Sequence, residues 1–148
     1  MSFGKATPAP SHITGRIWLG SNKHAGELDE TFGACLSVGS RTPRNRLSTI
    51  DYLHVPLQDN GPVTDDDFSA CIEFIILHLS TDDMKILIHC DAGRNRSAAI
   101  VTALLILQGQ FSDWDEAFAH VKSKRECAGC NSKVKESVLA ALANGGET

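Results

Sequence analysis

Cys90 and Arg96 are the two residues whose types and spacing most directly suggest chemistry, since a thiol and a guanidinium stand with five residues between them. They lie between an apolar run of strand length, residues 85–88, and a long apolar segment, residues 97–108, that predicts a buried helix. A loop in that position places its backbone N–H groups at the N-terminus of the helix, where they can bind an anion. A thiol among such donors is expected to be largely thiolate near neutral pH. The planar guanidinium matches phosphate oxygens bidentately.

The residues around this pair form a longer motif. His89 precedes the cysteine, Gly93 lies in the middle of the loop and Ser97 follows the arginine. The stretch therefore resembles the phosphate-binding loop of cysteine-based protein tyrosine phosphatases, and its surroundings resemble the small, atypical dual-specificity phosphatases of that superfamily. A cysteine and an arginine at this spacing also occur by chance, but a chance pair would explain neither the glycine nor the strand–loop–helix context. The resemblance covers roughly residues 12–142.

The resemblance implies a hydrolase of phosphate monoesters that works through a phosphocysteine intermediate. Cys90 would attack phosphorus, while Arg96 and the N–H groups of the loop would hold the phosphoryl oxygens. The hydroxyl of Ser97 would ease the departure of the cysteine thiolate, and His89 would order the loop. The other residues of the loop are Asp91, Ala92, Gly93, Arg94 and Asn95. No metal or other cofactor is expected, because the arginine and the N–H groups already supply the positive field.

The reaction also needs a proton donor for the leaving group, and four aspartates are candidates. Three of them, residues 65–67, follow Thr64 at the start of a predicted helix, where capping and the helix dipole account for acidic side chains. Asp59 has no such structural explanation, because it lies in a loop with Gly61 and Pro62 just after a predicted strand. Its loop also resembles the acid-bearing loop of the family in its order along the chain. We therefore predict that Asp59 is the general acid.

Short apolar runs alternate with segments of helical periodicity along the chain. Strands are predicted at residues 16–19, 34–38, 52–55 and 85–88. Helices are predicted from caps at Asn22, Thr64 and Ser112, within residues 97–108, and from Asn131 or Ser132. The first of these helices would end at Gly33. This alternation predicts an α/β fold with a central, mainly parallel sheet flanked by helices on both faces, and the resemblance implies the phosphatase version of that fold.

Length, net charge and cysteine content indicate the number of domains, the kind of partner and the compartment to expect. The length of 148 residues predicts one domain, residues 12–148, after a loose lead-in, residues 1–11, that contains two prolines. A formal net charge of −4 gives no electrostatic reason to expect nucleic-acid binding. Five cysteines without the spacing of a disulfide scaffold predict a reduced, cytoplasmic compartment, with the nucleus as an alternative. No membrane anchor is expected, because no apolar run approaches the ~20 residues of a span and Ser2 stands where myristoylation needs glycine.

A phosphorylated protein is the expected substrate and partner, because the resemblance implies a shallow pocket open to phosphoserine, phosphothreonine and phosphotyrosine. Two alternatives remain open. One is the same mechanism acting on a non-protein phosphate, either a phosphoinositide or an RNA 5′ end. In the loop, Arg94 favours a lipid phosphate and Asp91 opposes it. Asn95 is the residue in which the loop resembles the RNA-end phosphatases of the superfamily. The other is a phosphate-binding module without turnover. No motif indicates an oligomeric state.

Two further features are left with competing interpretations. Residues 40–46, called the basic loop below, carry three arginines, Arg41, Arg44 and Arg46. They form either a solvated loop or a rim that attracts an anionic substrate. Cys127 and Cys130 form a Cys-x-x-Cys pair without the second pair or histidines of a zinc site. They or Cys35 could instead resolve an adduct of Cys90 in thiol chemistry of another class, such as sulfur transfer or arsenate reduction.

Overall fold

A five-stranded sheet organises the computed structural model, which describes residues 9–43 and 45–145. Its strands are β1 (Ser11–Thr14), β2 (Ile17–Gly20), β3 (Phe32–Ser37), β4 (Asp51–His54) and β5 (Lys85–His89). The helices are α1 (Asn22–Ala25), α2 (Asp65–Thr81), α3 (Arg96–Leu107), α4 (Trp114–Lys124) and α5 (Ser132–Gly145). The strand order is β1-β2-β5-β3-β4. Strand β1 is antiparallel to β2 and the other neighbours are parallel, which confirms the predicted mainly parallel sheet.

Strand β5 lies at the centre of the sheet, paired in parallel with β2 on one side and β3 on the other. Its residues Ile86, Leu87 and Ile88 are fully buried, as expected for a strand covered on both faces. Because the three strands run in the same direction, their carboxyl ends meet at one edge. The loop that carries Cys90 follows β5 at that edge, where α/β proteins place their ligand sites.

The two faces of the sheet bury unequal cores. Ile86 and Ile88 belong to the larger core, which is shared with α2, α3, α4 and α5. Leu87, which alternates to the opposite face, belongs to a smaller core beneath α1 with Ala25, Phe32, Cys35 and Ile50. Each large apolar side chain buried in this way contributes about 1.5–3 kcal/mol. The helices therefore flank the sheet as predicted, but four of the five lie on one side.

The first predicted helix is wrong in its extent. Helix α1 is one turn long, Asn22–Ala25, and its N-cap is Ser21. Phe32 and Gly33, the last residues of the predicted helix, belong to β3, where Phe32 is paired with Lys85 of β5. Phe32 is buried in the smaller core. Pairing with the central strand thus outweighs the local periodicity that favoured a helix.

Two other elements differ in detail from the sequence prediction. Strand β1 was not predicted; it begins at Ser11, in the segment expected to be a loose lead-in, and pairs with β2. Residues 1–8 of that lead-in lie outside the described residues. Helix α4 is capped by Asp113, whose Oδ1 accepts from Glu116 N at 2.9 Å, whereas Ser112 donates to the Glu116 side chain. The predicted cap of α2 at Thr64 is confirmed, since its hydroxyl accepts from Asp67 N at 3.1 Å.

Helix α3 is the most deeply buried helix of the described chain. Every residue from Arg96 to Leu105 is buried, because α2, α4 and α5 pack around it. Its apolar sequence is therefore explained by protein contacts on all sides. No helix within residues 9–43 and 45–145 is both long and apolar enough to cross a membrane.

Candidate active site

The loop of residues 90–96, called the phosphate-binding loop below, connects the central strand β5 to α3. Cys90 follows the last residue of the strand and is 2% exposed. Arg96 is the first residue of α3 and Ser97 is the second. The Oγ atom of Ser97 lies 3.1 Å from Cys90 Sγ. The structure thus places the Cys90 thiol beside the Ser97 hydroxyl, with Arg96 at the other end of the same loop.

Four consecutive carbonyl groups of the loop accept hydrogen bonds from donors outside it. The pairs are Asn22 N to Asp91 O at 3.1 Å, Arg125 Nη2 to Ala92 O at 3.3 Å, Arg125 Nε to Gly93 O at 2.8 Å, and Gly129 N to Arg94 O at 2.9 Å. A carbonyl held outward turns the N–H group of the same peptide unit inward. Among the described residues, none accepts a hydrogen bond from the amides of residues 91–96. A ring of unused donors at a helix N-terminus is an anion site.

Gly93 is required by the shape of this loop. Its φ is +69°, a backbone conformation that residues with a Cβ rarely adopt. A Cβ there would also collide with the backbone carbonyl of Gly20 and would lie 2.7 Å from Nη2 of Arg125. Any other residue would therefore displace either β2 or the arginine that holds the loop.

Each nitrogen of the Arg96 guanidinium faces an oxygen atom. Nη1 donates to Leu57 O at 3.1 Å, and Nη2 lies 3.4 Å from Asp91 Oδ2. Nε lies 3.4 Å from Asp59 Oδ1, but it is buried without a hydrogen-bond partner because the alignment is poor. Nη1 is thus firmly bound, while the edge formed by Nε and Nη2 has only long contacts. That edge is one of the two with which an arginine can bind two phosphate oxygens.

Asp59 reaches the site because the chain after β4 stays beside β3. Val55 N donates to Ser37 O at 2.9 Å and Leu57 N donates to Val38 O at 3.0 Å. Two residues further on, the carboxylate of Asp59 is 67% exposed and lies at the mouth of the loop. The aspartates at residues 65–67 instead form the first turn of α2, as predicted from the capping pattern.

His89 lies beneath the loop and is fully buried. Burial lowers the pKa of His89 from 6.5 to about 4, so the ring is neutral at neutral pH. Its Nδ1 lies 3.3 Å from the carbonyl oxygen of Cys90 and donates to it, since a carbonyl can only accept. This contact fits the predicted role of ordering the loop.

Asp91 is bound from outside the loop by Ser40, at the start of the basic loop. Ser40 Oγ donates to Asp91 Oδ2 at 2.6 Å, and Ser40 N donates to Oδ1 at 3.2 Å. Burial by itself would raise the pKa of Asp91. The hydrogen bonds from Ser40 and the charge of Arg96 outweigh that effect and hold the pKa below its ordinary value. Asp91 is therefore an ionised carboxylate beside the arginine.

With this geometry in place, comparison with known proteins identifies the domain. Residues 17–142 match the family model described as the dual specificity phosphatase catalytic domain. The chain belongs to this family. The resemblance drawn from the motif around Cys90 is thereby confirmed.

The matching relatives are longer proteins. The chain is 34% identical over 122 residues to mouse dual specificity protein phosphatase 2, covering 78% of this chain and 37% of the relative. It is 30% identical over 127 residues to rat dual specificity protein phosphatase 5, covering 82% of this chain and 33% of that protein. The chain thus spans about a third of the length of these relatives.

Solved structures confirm the phosphatase fold. A crystal structure of human DUSP28 matches with a TM-score of 0.82 at 22% identity, over 93% of this chain and 99% of the other. A mouse dual specificity phosphatase complexed with zinc tungstate matches with a TM-score of 0.78 at 26% identity, over 95% of this chain and 87% of the other. The fold predicted by the resemblance is therefore shown.

In this dual specificity phosphatase domain, sequence reasoning missed the contribution of Arg125. A basic residue at the end of a helix ordinarily suits the helix dipole from an exposed position, but the side chain of Arg125, the C-cap of α4, is fully buried. The guanidinium donates to two carbonyls of the phosphate-binding loop and, at 3.1 Å, to Ser11 Oγ. Burial lowers the pKa of Arg125. The lysines beside it are exposed and fit the dipole interpretation, so nothing in the local pattern distinguishes the buried arginine.

The basic loop and the Cys-x-x-Cys pair are the remaining features that the sequence singles out. Arg41 and Arg46 of the basic loop are exposed; the guanidinium of Arg46 lies over the ring of Tyr52 at 5.1 Å. Arg44 lies outside the described residues. Cys127 and Cys130 are half-buried free thiols in the connection after α4, whose Gly129 supports the loop. The backbone of this connection thus holds the phosphate-binding loop, a role that the sequence does not reveal.

Proposed function

We propose that this domain hydrolyses phosphate monoesters on proteins, on tyrosine as well as serine and threonine, through a phosphocysteine intermediate. The observation that carries the proposal is a single loop that begins at the buried Cys90 thiol, has amides that are unused as donors, and ends at Arg96 with its loosely held edge. Membership of the dual specificity phosphatase family supports the same reaction.

In the first step, the Cys90 thiolate attacks phosphorus and the bond between phosphorus and the leaving oxygen breaks. Asp59 gives its proton to that oxygen, so that an alcohol or a phenol leaves. Nε and Nη2 of Arg96 and the amides of residues 91–96 bind the three remaining oxygens. The amides of residues 92–95 are fixed before the reaction by the contacts that hold the carbonyls of residues 91–94 outward, so they need no reorganisation as charge develops.

In the second step, Asp59 acts as a base and takes a proton from water as the water oxygen attacks phosphorus. The bond between phosphorus and sulfur breaks, which releases inorganic phosphate and restores the Cys90 thiolate. Ser97 stabilises that thiolate by a hydrogen bond, since its Oγ already lies 3.1 Å from Sγ. This hydrogen bond lowers the barrier by making the sulfur a better leaving group.

The charges at the mouth support a protein substrate over a polyphosphate. Asp59 and Asp91 both lie 3.4 Å from the guanidinium of Arg96. The ionised carboxylate of Asp91 beside the reacting phosphate repels a second phosphate close to it and tolerates a single monoester on a peptide. All five cysteines are free thiols, which supports the proposed cytoplasmic setting.

Turnover on a matched panel tests this proposal. The panel contains p-nitrophenyl phosphate, a phosphotyrosine peptide, a phosphothreonine peptide, a phosphoinositide and a 5′-triphosphate RNA at equal concentration. We expect turnover of the aryl phosphate and of both peptides. Their kcat/KM values should be at least tenfold above those of the phosphoinositide and the 5′-triphosphate RNA. Preferential hydrolysis of the phosphoinositide or of the RNA would contradict the proposed substrate class.

The Cys90→Ser variant tests the mechanism on the same panel. It should lose essentially all turnover and still bind orthovanadate, because the loop amides and Arg96 are unchanged. Cys71→Ser is the matched control, since Cys71 is a buried thiol in the larger core and burial raises its pKa to about 12. Turnover retained in Cys90→Ser would refute the phosphocysteine intermediate.

A further inference from the structure

The carboxylate of Asp91 lies beside the edge of Arg96 assigned to phosphate, yet its strongest contacts are with Ser40. The Ser40 hydroxyl donates to Oδ2 at 2.6 Å and the Ser40 amide donates to Oδ1 at 3.2 Å. Nη2 of Arg96 is 3.4 Å from the same Oδ2 atom. A charge-assisted pair between guanidinium and carboxylate is normally about 2.7–2.9 Å long. Asp91 is therefore held by the serine and kept short of a full ion pair with the arginine.

The backbone around Ser40 is shaped to receive this carboxylate. A Cβ at Gly39 would lie 2.6 Å from Asp91 Oδ1 and 2.8 Å from Asp91 N, so a larger residue would push the aspartate away. On one side, His54 Nε2 donates to Gly39 O at 2.8 Å. On the other, Ser37 Oγ donates to Arg41 O at 2.7 Å. Strands β3 and β4 thus fix the backbone on both sides of Ser40.

We infer that Ser40 is a positioning residue, which acts by keeping the Asp91 carboxylate from closing on Arg96. This inference rests on the proposed function, in which Nε and Nη2 of Arg96 bind the substrate phosphate. Without the serine hydroxyl, the ionised Asp91 would move across the 3.4 Å gap to Nη2 of Arg96 and form a full ion pair with it. An incoming phosphate would then have to break an ion pair before it could bind.

The test compares Ser40→Ala in two backgrounds, the wild-type chain and Asp91→Asn. The dissociation constant of orthovanadate and the KM for p-nitrophenyl phosphate are measured for each. We expect Ser40→Ala to weaken vanadate binding and raise KM about tenfold, the effect of one hydrogen bond to a charged group, with kcat within about twofold. In the Asp91→Asn background the same change should alter both constants by less than about twofold, because no carboxylate is left to compete. Asp91→Asn alone should bind vanadate at least as tightly as the wild type.

Ser40→Thr and Ser48→Ala are the matched controls. The threonine keeps the hydroxyl and should restore the wild-type constants, while Ser48 is an exposed serine a few residues away and its loss should change nothing. An equal effect of Ser40→Ala in both backgrounds, or no effect in the wild type, would overturn the inference. Weaker vanadate binding by Asp91→Asn alone would also overturn the inference. This measurement tests the inference even if Ser40→Ala does not fold. Vanadate binding needs no turnover, so a chain that binds vanadate but hydrolyses nothing would refute the proposed function and still decide this inference.

Discussion

Replacing Arg125 with methionine tests how the phosphate-binding loop is held in shape. The change keeps most of the buried volume and removes the donors to Ala92 O, Gly93 O and Ser11 Oγ. A buried acceptor left without a donor costs about 1–3 kcal/mol. Removing a fully buried cation offsets part of that cost, since burial already lowers the pKa of Arg125. We therefore expect the free energy of unfolding to fall by about 2–4 kcal/mol, which corresponds to roughly 5–15 °C in Tm for a chain of this length.

Thermal unfolding and orthovanadate binding measure the two consequences separately. Vanadate should bind at least tenfold more weakly to Arg125→Met even well below its Tm, because the freed carbonyls no longer fix the direction of the loop amides. Lys124→Met is the matched control, since Lys124 precedes Arg125 as the last residue of α4 and its side chain is exposed. If Arg125→Met unfolds within about 2 °C of the control and binds vanadate equally well, the loop does not depend on this arginine and the reasoning is wrong.

Three further predictions concern the acid, the rim and the buried histidine. Asp59→Asn should lower kcat about 10²-fold or more and flatten the basic limb of the pH–rate profile, with a smaller loss for aryl phosphates whose phenol is already acidic. Asp65→Asn should be near normal, and the reverse pattern would move the general acid to α2. Replacing the arginines of the basic loop with alanine should raise KM for multiply charged substrates and leave small aryl phosphates unchanged; an equal effect on both, or on neither, would return the loop to a solvated surface. The pKa of His89 falls from 6.5 to about 4 on folding. Between these two pH values, His89 therefore binds a proton in the unfolded chain but not in the native structure. The resulting stability is present above pH 6.5 and is lost as the pH falls toward 4, by about 3 kcal/mol. Denaturant unfolding of His89→Gln should lack that slope, and a slope equal to the wild type would contradict the assignment.

The phosphate-binding loop and the fold could be predicted because the residues that indicate them are contiguous in the sequence. Residues 89–97 carry the nucleophile, the glycine and the arginine within one strand–loop–helix unit, so their relative positions follow from local geometry. The apolar runs at β3 and β5 lie close to their predicted positions for the same reason, because burial on both faces leaves a continuous apolar signal. Capping of α2 explains the aspartates at residues 65–67 but not Asp59, and the structure places the carboxylate of Asp59 3.4 Å from Arg96.

The sequence alone could not predict the extent of α1 or the contacts that hold the phosphate-binding loop. Residues 22–33 have helical periodicity, but Phe32 pairs with the central strand and is buried beneath α1, so a long-range contact decides its conformation. Arg125 and Ser40 are separated from the loop by about 30 and 50 residues respectively, and each looks like an ordinary surface residue in its own segment. The amino-acid sequence by itself determined which residues can carry the chemistry, since thiol, guanidinium and glycine occur together in one short loop. Only the tertiary structure decided which donors turn that loop's carbonyls outward and hold Asp91 aside, because those contacts exist only when distant segments pack together.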